Sequence, residues 1–436
     1  MAAISLICFT KKILFTILVT KSSEGDVVMS TERLWTKDFL LDTIINFFIY
    51  LIYYLLMVII AVEAKNSLHA SLSEAGLASG IFIIGTLLAR LFAGRSIETY
   101  GRKRMLYIGI IFYLVTTVCY FSMSSLGILY LVRFLNGIGY GIASTATSTI
   151  ISSIIPATRR GEGINYYGLS TSLAAAIGPF FGMLLQTYFD FTYIVEFCLV
   201  LLIVCFGACL CLKVPEIELT EAEKENLKHF RLDNFFERRV YPIALVGLIM
   251  GFCYSSVLSF LAAYAQEANL MIAGTFFFVV YALVITITRP STGVLFDRKG
   301  ENFVMYPSFV FLAIGLLLIS LSHQSWLLLL SGVFVGLGYG TFMSNGQAVC
   351  VKLSPSYRMG VATSTYFIAL DLGLGIGPYL LGYMRPSIGF SGIYITTSVL
   401  ALLCVGLYYL VYGRYRGWED GKQLESNPQK LVKVNE

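Results

Sequence analysis

Apolar stretches about twenty residues long recur along this chain with short polar breaks between them, the length that lets a helix cross roughly 30 Å of hydrocarbon. In lipid, backbone groups must be paired within their own segment, so such stretches read as helices. The alternating pattern of a membrane barrel is absent. Composition agrees: 57% of the 436 residues are hydrophobic and 13% charged, against about 25% charge in a soluble domain. The surplus faces something other than water. Nine cysteines, mostly inside apolar segments, read as apolar filler.

The spacing predicts membrane helices near 38–62, 73–94, 105–122, 127–153, 164–187 and 191–212, then near 241–265, 271–295, 303–322, 325–351, 360–384 and 388–412. This divides the chain into an N-terminal segment 1–37, a six-helix half 38–212, a charged linker 213–240, a second six-helix half 241–412 and a tail 413–436. Residues 1–28 are apolar but broken by Lys11 and Lys12 and lack a small-residue cleavage site, so they read as an over-extended start with Met29 as initiator. With both termini cytoplasmic, 26 of the 31 Lys and Arg residues lie inside, which the positive-inside rule requires. The expected location is the plasma or inner membrane.

The second half repeats the first at a constant offset of 199 residues. Arg90 meets Arg289, Gly94 meets Gly293, Glu98 meets Asp297 and Gly101 meets Gly300. GIGYG at 137–141 meets GLGYG at 336–340, and Gly178-Pro179 meets Gly377-Pro378. One gapless offset across four helices is not chance composition.

GRSIETYGRKR at 94–104 resembles the loop between helices 2 and 3 of the major facilitator superfamily, and GVLFDRKG at 293–300 resembles its second copy. RFLNGIGYG from Arg133 resembles the family's helix-4 motif, and AAAIGPFFG at 174–182 the helix-5 motif of its exporters. The resemblance implies an all-α polytopic membrane protein, twelve transmembrane helices in two pseudo-symmetric six-helix halves with the substrate site between them. Among subgroups it is similar to drug and metabolite:proton antiporters, and within those to the Gram-positive group that includes the staphylopine (metallophore) exporter.

In the family the loop carboxylate latches the outward-facing state by pairing with arginine and a helix N-terminus. The gating residues implied here are Gly94, Glu98, Gly101 and Arg102, then Gly293, Asp297, Arg298 and Gly300. Neither copy keeps the whole pattern: Glu98 and Thr99 replace aspartate and arginine in the first, and Glu301 and Asn302 replace the basic pair in the second. Ala174, Gly178 and Gly182 with Pro179, and Gly373 and Gly377 with Pro378, form smooth small-residue faces. Their matched positions predict sliding contacts between the halves.

Charge inside the membrane is where function concentrates, since burial of an unpaired ion is costly. Arg90 and Arg289, near the inner ends of helices 2 and 8, are expected to snorkel to the cytoplasm. Asp371, Arg133 and Asp42 have no charged repeat mate and are the candidates for proton coupling, with Asp371 and Arg133 the leading pair. A desolvated carboxylate can load and release protons near neutral pH. Glu196 is a weaker candidate. Asn46, Tyr50, Tyr53 and Met57 form one face of helix 1 with Asp42, and with Tyr166, Tyr254 and Tyr366 they are expected to line a substrate cavity.

The chain has no P-loop, and His69, His229 and His323 are scattered in polar loops, so ATP-driven transport, catalysis and a metal site are not expected. The expectation is a non-enzymatic secondary transporter, active as a monomer. It needs no cofactor and uses the proton gradient to export a small organic compound, a drug or a metabolite such as a metallophore. The expected partners are substrate, protons and lipid, without nucleic acid. Nutrient import by symport, or a non-transporting scaffold or receptor, is the alternative reading.

Overall fold

The computed structural model describes residues 33–70, 72–215 and 235–414. The start at 1–28, most of the linker and nearly all of the tail lie outside the described residues. The first six helices are α1 (Lys37–Ser67), α2 (Leu72–Tyr100), α3 (Arg102–Val118), α4 (Leu126–Ile154), α5 (Arg160–Tyr188) and α6 (Phe191–Cys211). The second six are α7 (Tyr241–Glu267), α8 (Met271–Lys299), α9 (Glu301–Ser320), α10 (Ser325–Leu353), and α11 (359–388) and α12 (390–408), which Gly389 separates within Met359–Tyr408.

Helices α2 and α8 run further than the apolar pattern predicts, so Glu98 and Asp297 stand on helices and not in loops. What ends them is a pair of repeat mates in left-handed backbone, Gly101 at φ 95° and Gly300 at φ 85°, a conformation glycine adopts without steric cost. Gly389, at φ 67°, makes the break between α11 and α12. The GLGYG copy at Gly336–Gly340 forms a π-helical turn inside α10, whereas GIGYG stays within regular helix.

Each half closes its own apolar core, one running from Ile45 to Leu212 and the other from Val240 to Tyr412. Leu34, Phe39, Ile151, Ile155, Ile164 and Tyr167 of the first half join the second core. All six lie at the end of the bundle that carries the α2–α3 and α8–α9 turns, called here the latch end. Large apolar side chains on the outer faces remain open, Ile272 and Ile287 of α8 among them, as expected of lipid-facing helices.

The small-residue faces do not join the halves. A Cβ on Gly178 would lie 2.7 Å from Tyr54 Cβ, and one on Gly182 3.1 Å from the Leu55 carbonyl. Both contacts are α5 on α1 of the same half. Gly373 and Gly377 likewise press against Leu248, Phe252 and Ser255 of α7. The expectation of sliding inter-half contacts at these motifs is therefore corrected: without Cβ atoms the helices pack tightly inside each half. Ala174 is buried, and Pro179 and Pro378 lie within their helices.

Candidate functional site at the interface of the halves

The halves meet closely at other glycines. A Cβ on Gly94 of α2 would lie 3.0 Å from the carbonyl of Gly360 on α11, and one on Gly293 of α8 would lie 2.7 Å from the carbonyl of Gly161 on α5. Gly161 and Gly360 are themselves 199 residues apart. At this approach each half caps the other. The Gly360 N–H donates to Glu98 Oε1 at 2.8 Å. The Gly161 and Glu162 N–H groups donate to the two carboxylate oxygens of Asp297 at 2.8 and 2.7 Å. Both carboxylates thus sit on the first turn of a helix, where free N–H groups and the helix dipole favour an anion.

The rest of the two latches differs. Arg102 pairs with Glu98 at 3.3 Å and donates to the Ser356 carbonyl at 2.8 Å, so the first copy keeps a carboxylate–arginine pair although Glu98 and Thr99 replace aspartate and arginine. In the second, Arg298 is exposed and enters none of the ion pairs found among the described residues. Glu301 instead pairs with Lys352 at 2.8 Å, and Asn302 accepts from Tyr408 and donates to the Gly413 carbonyl, ties inside the second half. Glu237, just before α7, pairs with Arg358.

One helical turn and more above the latches, Arg90 on α2 pairs with Asp371 on α11, Nε to Oδ2 at 3.4 Å. Arg90 is 4% exposed and Asp371 22%. Ser364 donates to the Arg90 carbonyl, and the guanidinium lies 4.8 Å over the Phe367 ring. Arg289 on α8 occupies the mate position, 1% exposed, and donates to the Gly168 carbonyl on α5 and to the Gly340 carbonyl at 3.4 Å. Gly168 is the repeat mate of Phe367. Neither arginine snorkels: both turn across the interface, where packed helices leave no route for the stem to water.

Arg133 is not the partner of Asp371. It is fully buried within the first half, donating to the Ala78 carbonyl at 3.1 Å, the Tyr120 hydroxyl at 3.3 Å and the Met57 sulfur, with the Phe82 ring 4.5 Å away. Asp42 is also fully buried, and neither carboxylate oxygen has a hydrogen-bond partner. Glu196 is exposed on the outer face of α6.

The helix-1 stripe divides. Asn46 is fully buried in a knot, donating to Ser170 at 2.8 Å and Thr171 at 3.2 Å and accepting from Tyr167 at 2.7 Å and Thr147 at 3.1 Å. That ties α1 to α4 and α5 and satisfies the amide, so Asn46 is a strut and not a cavity wall. Tyr366 is buried and donates to the Met343 carbonyl, and Tyr166 lies at the latch end with its ring edge on Trp35. Tyr50 and Tyr53 instead meet Tyr140 at 5.4 and 4.8 Å.

Tyr53 also stacks on Phe82 at 5.2 Å, and opposite them Tyr254 stacks on Tyr339 at 3.9 Å and Tyr281 at 5.7 Å. Phe82 and Tyr281, and Tyr140 and Tyr339, are repeat mates, so the two halves carry matching aromatic stacks. Phe82 and Tyr281, and the Gly161–Gly360 pair, escaped motif reading; carrying the 199-residue comparison past the motifs would have found them.

A family model described as Major Facilitator Superfamily matches residues 43–321 and 276–433. An uncharacterized MFS-type transporter of Methanocaldococcus jannaschii is 24% identical over 360 residues, covering 81% of this chain and 92% of its own. The uncharacterized MFS-type transporter YfkF of Bacillus subtilis is 24% identical over 375 residues, covering 84% and 90%. Two solved structures share the fold across 85% of this chain and 98% of theirs. They are the human organic anion transporter MFSD10 (TETRAN), with TM-score 0.70 and 15% identity, and the Escherichia coli fucose:proton symporter FucP, with TM-score 0.65 and 14% identity. Twelve helices among the described residues, in two repeated halves, cross-capped at one end and paired by charge between α2 and α11, agree with these matches: the chain belongs to the major facilitator superfamily, a family of secondary transporters.

Proposed function

We propose that this transporter exports a small organic compound in exchange for protons, with Asp371 as the proton-carrying group and Arg90 as its internal counter-charge. The observation that carries this reading is the Arg90–Asp371 pair, because it is a titratable pair that spans the interface the halves must open. A proton on Asp371 removes the Coulombic tie between α2 and α11 and loosens the halves. Loss of that proton restores the tie. Substrate and proton are thereby linked to opposite states of one interface, which is what exchange requires.

The latch end is, in this reading, cytoplasmic, in accord with its basic residues, and the cross-capped arrangement is the state closed toward the cytoplasm. Asp42, buried without a donor, is the second protonation candidate; Arg133 holds α4 against α2 and the turn after α3. Drug or metallophore-type cargo both suit the tyrosine-rich walls. The test is proton release on substrate addition in proteoliposomes. Asp371→Asn is expected to abolish it, and exchange that persists in Asp371→Asn and Asp42→Asn proteins overturns the mechanism.

A further inference from the structure

The geometry points to an oxyanion-binding site centred on Arg289, with Thr341 and Ser344 of α10 as flanking donors, so that the transported molecule carries an acidic group. This rests on the reading that substrate passes between the halves.

The first ground is charge. Arg90, Arg133 and Arg289 are buried away from the latches, and the ion pairs found among the described residues give a carboxylate to Arg90 alone. Arg133 is enclosed by a carbonyl, a hydroxyl, a sulfur and a ring of its own half. Arg289 differs, because one of its two acceptors, the Gly168 carbonyl, belongs to the other half. When the halves part at the latch end, that acceptor leaves and the guanidinium faces the opening.

The repeat supplies the second ground. Arg90 meets Asp371 on the helix opposite, but the mate of Asp371 is Ser172, which carries no charge. The pseudo-symmetric position is therefore built with the cation and without its anion. Solvation by water can satisfy N–H groups, but a desolvated guanidinium still gains most from a carboxylate, sulfonate or phosphate, which accepts two parallel hydrogen bonds.

The third ground is local. Arg289 Nε, Thr341 Oγ1 and Ser344 Oγ are all buried without a hydrogen-bond partner. Arg289 and Ser344 share one patch, since a Cβ on Gly168 would touch both Arg289 Nη1 and Ser344 Oγ at 2.6 and 2.7 Å, and Gly340, the residue before Thr341, accepts from Arg289. Unsatisfied buried donors are rare in native proteins, and those of Arg289 and Ser344, side by side with no fixed acceptor, suit an incoming one.

Binding is tested on the full chain in nanodiscs, without any proton gradient, using naphthalene-2-carboxylate and naphthalene-2-carboxamide as matched probes. The carboxylate is expected to bind about tenfold more tightly than the amide. Arg289→Gln should erase that preference, and Arg289→Lys should keep part of it. Equal affinities in the native protein, no saturable binding of the carboxylate, or an undiminished preference in monodisperse Arg289→Gln protein would each overturn the site. Because no gradient is applied, loss of proton exchange in a separate assay bears on Asp371 and leaves this result standing.

Discussion

Arg90 and Asp371 face each other across the two halves at 3.4 Å, the arginine almost wholly buried and the aspartate partly open. Removing one partner of such a pair strands the other. Asp371→Leu should therefore destabilise the protein by on the order of 3 kcal/mol. The double variant Arg90→Leu/Asp371→Leu should recover much of that loss. Thermal unfolding in detergent checks this, and additive effects would show that the two side chains do not interact.

Glu98 and Asp297 each cap a helix of the opposite half, and an N-terminal cap contributes about 1 kcal/mol. Glu98→Gln and Asp297→Asn keep shape but weaken the charge-assisted bonds, so each should shift the protein toward the state open at the latch end. The readout is thiol labelling of Ser364→Cys, a position buried between α2 and α11. Labelling should rise severalfold in either variant, more in the pair together; unchanged labelling would show that the caps do not hold the interface shut.

Glycines of the two kinds should behave differently. Gly178 presses on α1 within its own half, so Gly178→Val should lower expression and melting temperature. Gly293 presses on Gly161 across the halves, so Gly293→Val should leave a folded protein that cannot close at the latch end. Melting curves and Ser364→Cys labelling separate the outcomes, and identical behaviour of the two variants would erase the distinction.

Asn46 joins three helices of one half through four hydrogen bonds to side chains. Asn46→Leu removes these four bonds, while Tyr167 can still donate to Thr147 at 3.1 Å and Thr147 to the Ser144 carbonyl at 3.0 Å, so each lost bond costs about 1 kcal/mol. Its effect should be on unfolding temperature. A specific rise in substrate KM at unchanged stability would return Asn46 to the cavity wall.

Apolar runs and the 199-residue repeat determined the fold class, because spanning lipid forces helices of set length and a repeated sequence forces repeated packing. The repeat also pointed to Glu98 and Asp297, whose roles are set by local position near a helix end. Partnership was another matter. By depth in the sequence Arg133 is the better partner for Asp371, since Arg90 lies near the inner end of its helix. Only the placement of α2 against α11 chose Arg90, and only the enclosure of Arg133 by α2 and the turn after α3 excluded Arg133. The small-residue motifs likewise announced close helix approach without saying which helix approaches. A chain written in one dimension specifies which faces are smooth, charged or apolar; which face meets which is decided when twelve helices fill space together.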